Sequence, residues 1–154
     1  MKYILMRAIL FPVLLLSGLI SENVPAEQYW GISDTRLPYI AMVRRNPNET
    51  TIVIYNPDTC KEIGVACGFF IEHAGAHAHL NHLLLPPEAY AAPTEAKADC
   101  WAAKNGRPKE VYAAVQLLLD DNRNPNLNII GDPAQRAEKI RACAEEAVNW
   151  IENQ

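Results

Sequence analysis

The sequence predicts an α+β fold, a mostly helical single domain with an N-terminal β-hairpin. Three observations carry this reading. "YIAMVRR" (39–45) and "TIVIY" (51–55) are short β-prone runs on either side of "NPNET", which holds the Asn and Pro that turns prefer. Four later stretches carry helical start and stop signals. The 154 residues suffice for one modest hydrophobic core and are too few for two.

Residues 22–38, ahead of the hairpin, are rich in turn formers and read as irregular, with Tyr29 and Trp30 as bulky anchors. After the hairpin, "NPDT" leads into a helical pattern that begins between Thr59 and Val65 and runs through the histidines to Leu85, where Pro86 and Pro87 stop it. Thr94 is a good N-cap for a second helix, ended by Asn105 and Gly106. Pro108 opens a third helix with Val111, Val115 and Leu118 on one face. Asp132, Pro133 and Gln135 form a capping-box arrangement for the last, in which Ala137, Ile140, Ala144, Ala147 and Ile151 recur at helical spacing.

The first segment reads differently. Lys2 and Arg7 precede an apolar run over 8–20, which gives way to Ser21, Glu22 and Asn23. This is the layout of a secretory signal peptide, with cleavage expected after Ala26 and a mature domain over 27–154. The run is shorter than the ~20 apolar residues of a membrane span and Pro12 interrupts it, so no stable span is expected after cleavage. Export to the periplasm or the extracellular medium follows. Losing residues 1–26 moves the formal charge from −4 to −5, and an acidic chain without a basic stripe offers no footprint for nucleic acid.

Cys60, Cys67, Cys100 and Cys143 are an even set in a chain expected to reach an oxidising compartment, which points to two disulfides. Three pairings are possible and sequence does not choose among them; the preferred one joins Cys60 with Cys67 across the Gly64 bend and Cys100 with Cys143. A thiolate zinc site competes with this reading, but no CxxC spacing occurs.

All four histidines, His73, His77, His79 and His82, lie in "FIEHAGAHAHLNH". At about 100° per residue, His73 and His77 are about 40° apart around a helix and one turn apart along it, so both rings can reach one metal ion. His79 and His82 fall about 240° and 180° from His73 and read as solvated or helix-end residues; a second copper, nickel or zinc site is the alternative for them. Two histidines hold a transition metal weakly, and a third ligand has to come from elsewhere. "TEAKADCWAA" offers Glu95, with Asp99 four residues on along the same face of the next helix. A His₂Glu set with the fourth position left to water is typical of catalytic zinc, and Asp99 is placed to accept the spare ring N–H of a ligating histidine. Trp101 and Tyr112 read as core or lid residues.

The blocks "CKEIGVACGFFIEHAGAHAHLNH", "EAKADCWAA" and "GDPAQRAEKIRAC" together resemble the secreted, short relatives of the gluzincin metallopeptidases, whose helices read H-E-x-x-H and then E-x-x-x-D. The resemblance covers roughly residues 52–143. It implies a zincin-like helix pair with zinc as cofactor, His73, His77 and Glu95 as ligands, and Asp99 orienting a ligand. It further implies, by analogy, that "TIVIY" or "YIAMV" grips an extended peptide or protein as an added strand. Ala74 departs from the family, since the glutamate at that position takes a proton from the metal-bound water and delivers it to the leaving amine. Asp132 is a second departure, in a place where such relatives often carry a histidine. Glu72 does not substitute for the missing base, because it points about 120° from the ligand direction while position 74 lies about 80° from it on the other side. General acid–base work contributes typically about 10²–10⁴-fold. The expectation is a metal-binding but catalytically impaired relative with a binding or structural role. The rivals are an active zinc metallopeptidase with a base from outside the motif and a His-rich metal-buffering protein.

Overall fold

In the computed structural model, which describes residues 30–45, 50–84 and 92–152, the chain is α+β: a small three-stranded sheet followed by five helices. The expected signal segment 1–26, the hairpin turn at 46–49 and the connection at 85–91 lie outside the described residues.

Strands β2 (Ala41–Arg45) and β3 (Thr51–Tyr55) pair antiparallel as the expected hairpin, with Val43 opposite Val53. The stretch over 22–38 is not wholly irregular. Residues Trp30–Ser33 form β1, parallel to β3 with Gly31 opposite Val53, and the sheet order is β1-β3-β2. So short a run has no alternation to announce it; it becomes a strand by pairing with an edge supplied from 22 residues downstream. β3 is therefore central and carries buried Ile52, Val53 and Ile54, which leaves β2 as an edge.

The single helix expected to run through to Leu85 is two helices and a turn. Helix α1 (Pro57–Ile63) starts with Pro57 at its first position, and the Asn56 side chain accepts from the Asp58 and Thr59 amides at 3.0 and 3.2 Å. The same Asn56 amide donates to the carbonyls of Thr35 and Leu37, fastening the β1 exit to the helix start. Gly64, at φ 58°, ends α1 in a conformation that costs other residues more, and the Cys60–Cys67 disulfide spans the bend. Helix α2 (Ala66–His79) then runs through the middle of the molecule against β2, β3, α3 (Ala92–Asn105) and α4 (Pro108–Leu119). Its buried residues include the small Ala74, Gly75, Ala76 and Ala78.

Helix α4 turns Val111, Ala114, Val115 and Leu118 inward. Helix α5 (Pro133–Glu152) contributes Ala137, Ile140 and Cys143. Its first turn is capped by Asp132, whose side chain accepts from the Gln135 amide at 3.0 Å, so this residue has a structural task. Phe69, Leu118 and Ile140 are fully buried at the centre of the core. The Cys100–Cys143 disulfide ties α3 to α5 across 43 residues, and the two bonds point to maturation in a non-reducing, exported environment. Among the described residues, no helix is long and apolar enough to cross a membrane.

Candidate metal centre

The face of α2 that looks toward α3 and β2 presents His73 and His77, and the facing side of α3 presents Glu95 and Asp99. Burial follows the i, i+4 spacing: Glu95 is 9 % exposed, Asp99 0 % and His77 7 %. Apolar and small side chains alone would be expected on such inner faces, and charged groups there need partners.

Two imidazole nitrogens and the two oxygens of one carboxylate converge. His73 Nε2 lies 3.2 Å from Glu95 Oε2, His77 Nε2 lies 3.2 Å from His73 Nε2, and His77 Nε2 lies 3.5 Å from Glu95 Oε1. One ligand atom from each of the three residues falls within 4.8 Å of the others, so His73, His77 and Glu95 could hold a metal ion together. Two imidazoles and a carboxylate at such separations are a donor set for a first-row divalent ion.

Behind the donors stands a second row. Asp99 Oδ1 is 2.8 Å from His73 Nδ1, an ion-pair distance at an angle short of good hydrogen-bond geometry. Arg136, in the first turn of α5, closes on Asp99 with Nη2 at 2.6 Å from Oδ1 and Nε at 2.8 Å from Oδ2, and also donates from Nη1 to the Ile130 carbonyl at 3.2 Å. On the far side, His82 Nδ1 is 3.2 Å from His77 Nδ1.

Two carboxylates flank the His73 ring and favour its protonated form. Burial disfavours charge on His73, but the facing carboxylates of Asp99 and Glu95 outweigh it and raise the pKa. Burial likewise opposes ionisation of Glu95, yet contacts with His73 and His77 hold its carboxyl well below the usual range. Asp99 is lowered against its own burial by Arg136 first and His73 second. His82 is pushed down by burial and by the neighbouring His77.

The donors open onto a cleft of about 340 Å³, walled by Tyr39, Ala41, Met42 and Val43 of the β2 side, by Ala74 on α2, and by Leu83 and Ile130. Ala74 is 3 % exposed and lines this cleft beside both histidines. Glu72 does not line it; its carboxyl is half-buried and raised by burial and by Glu110 of α4. Among the described lining residues outside the donor trio, Tyr39 alone has a proton-bearing side chain.

No known protein family, characterised protein or solved structure matches this chain. Function has to be read from these residues and distances.

Sequence reasoning differs from the structure at several of them. His82, expected to be a solvated or helix-end residue, is at the helix end but buried, at 5 % exposure, because α2 stops at His79 and the chain turns back. His79 is exposed and lies against Trp101, ring centroids 4.9 Å apart. Tyr112 is 68 % exposed and belongs to neither core nor cleft. Arg136 was missed, although an aspartate on a buried helix face is itself a signal that a cation must be found for it.

Proposed function

We propose that the chain is an exported zinc-binding domain, related to the gluzincin metallopeptidases, whose site holds an extended peptide or protein segment without hydrolysing it. The observation that carries this is the donor triangle of His73 Nε2, His77 Nε2 and the Glu95 carboxylate beside Ala74. The two Nε2 atoms are 3.2 Å apart, close to the ~3.3 Å edge of a tetrahedron drawn around zinc with bonds of about 2.0–2.1 Å, and each faces a different oxygen of the Glu95 carboxylate, at 3.2 and 3.5 Å. Zinc held there by His73, His77 and Glu95 would supply a Lewis acid able to polarise a carbonyl.

What the chain's own residues can do is hold and orient. His73 is backed by Asp99 and Arg136, and Glu95 is kept ionised, so a cation is expected without rearrangement. Proton transfer is where the site falls short among the described residues, since the methyl group of Ala74 neither accepts nor delivers a proton. Binding has support from β2, an edge strand whose Ala41, Met42 and Val43 line the same cleft and can take a further strand by main-chain hydrogen bonding. The buffering alternative loses support because His79 and His82 lie outside the donor group.

Wild type and Ala74→Glu at identical zinc loading, assayed on a labile peptide or ester, test the proposal. We expect no turnover from wild type and weak, chelator-sensitive turnover from Ala74→Glu. Chelator-sensitive hydrolysis by wild type that His73→Ala abolishes would overturn it in favour of an active peptidase.

A further inference from the structure

Helix α2 ends where Leu80 and Asn81 return their amides to the carbonyls of Ala76 and Ala78, both at 2.9 Å. Asn81 then adopts φ 57°, the left-handed region that Asn tolerates better than most residues with a Cβ. This reversal carries His82, the first residue of a short 3₁₀ turn (His82–Leu84), back beneath the helix it has just left. Its ring meets that of His77 edge to face, centroids 5.1 Å apart and planes at 70°, with the two Nδ1 atoms 3.2 Å apart.

We propose that His82 is a positioning residue of the metal centre, its Nδ1 accepting the Nδ1–H of His77 and so fixing the tautomer in which His77 Nε2 carries a free lone pair toward Glu95 and His73. This rests on the metal reading above. The direction of the hydrogen bond follows from proton counting. Two neutral imidazoles facing each other through Nδ1 share one hydrogen between them. A metal ligand needs its lone pair on the ligating nitrogen, so His77 must keep its hydrogen on Nδ1, and His82 must carry its own on Nε2. The two ligand rings are thus held from behind by different means: His73 faces a carboxylate clamped by Arg136, and His77 faces a second, neutral ring. A neutral acceptor orients His77 without adding a further negative charge beside Glu95.

Two substitutions separate this role from packing alone. His82→Phe keeps a ring of similar size and has no acceptor, whereas His82→Asn gives up the ring and retains an oxygen near the place of Nδ1. Zinc affinity, read by competition with a chromophoric chelator, should fall about 10–100-fold in His82→Phe and be largely kept in His82→Asn, while His79→Phe leaves it unchanged. ¹⁵N spectra of the zinc-loaded wild type should show His77 protonated on Nδ1 and His82 on Nε2. Wild-type affinity in His82→Phe, or His82 in the opposite tautomer, overturns the positioning role while leaving the metal centre standing. A wild type that binds no zinc removes both.

Discussion

Arg136 grips both carboxylate oxygens of Asp99, a residue with no exposed surface, at 2.6 and 2.8 Å. Asp99 in turn reaches His73, so the start of α5 is linked through α3 to the helix that offers the metal donors. A bidentate, nearly dry pair of this kind fixes geometry more than it adds net stability, but breaking it strands a buried charge. Arg136→Ala should therefore destabilise the protein by about 3–5 kcal/mol in urea unfolding, and Asp99→Asn introduced with it should recover part of the loss. Equal stability of Arg136→Ala and wild type would show that water serves Asp99 as well as the guanidinium does.

Glu95→Gln addresses the ligand set itself. A neutral amide is a poor ligand for a dication held by only two imidazoles, so zinc affinity should drop strongly while the circular dichroism spectrum stays as in wild type. Unchanged affinity would take Glu95 out of the site.

Acid and base should each destabilise the protein, through different groups. His73 has a raised pKa, so the stability it gives is present below its unfolded value of about 6.5 and is lost as pH rises through the higher folded value. Glu95 and Asp99 are lowered, so their share is present above about pH 4 and is lost as pH falls through their depressed values. Zinc needs a neutral His73. Calorimetry at pH 6 in buffers of different ionisation enthalpy should thus register the release of about one proton per zinc bound. Binding without proton release would mean that His73 is already neutral there.

The two disulfides should differ in weight. Opening the 43-residue Cys100–Cys143 loop removes about 4 kcal/mol of chain-entropy stabilisation, against about 2 kcal/mol for the short Cys60–Cys67 loop. Cys100 is next to Asp99 and Cys143 is two turns beyond Arg136, so the Cys100→Ser/Cys143→Ser protein should also bind zinc more weakly, whereas Cys60→Ser/Cys67→Ser should not. Protein from an oxidising compartment should have no free thiol on denaturation. Zinc-protected thiols in its place would support thiolate ligation.

The parts that were legible in the sequence are local ones. Periodicity and the Pro108 and Asp132 start signals announced the hairpin and most of the helices, although α3 begins at Ala92 and holds Thr94, the expected N-cap, inside its first turn; i, i+4 spacing placed His73 with His77 and Glu95 with Asp99 because a helix converts spacing into direction. Among distant pairings, Cys100 with Cys143 and Glu95 with the two histidines were anticipated, but other features made by chain reversal or distant pairing were not legible. β1 exists because β3 offers it an edge, and His82 reaches His77 because Asn81 turns left-handed where a helical wheel would have continued. Arg136 is 37 residues from Asp99, and no pattern in either helix pairs them.

The most direct measurement is the metal content and zinc affinity of the folded, disulfide-bonded protein, alongside His73→Ala and His77→Ala. The donor triangle predicts one tightly held zinc per chain, lost on either substitution. No metal, or several ions held loosely and indifferent to His73 and His77, would contradict it.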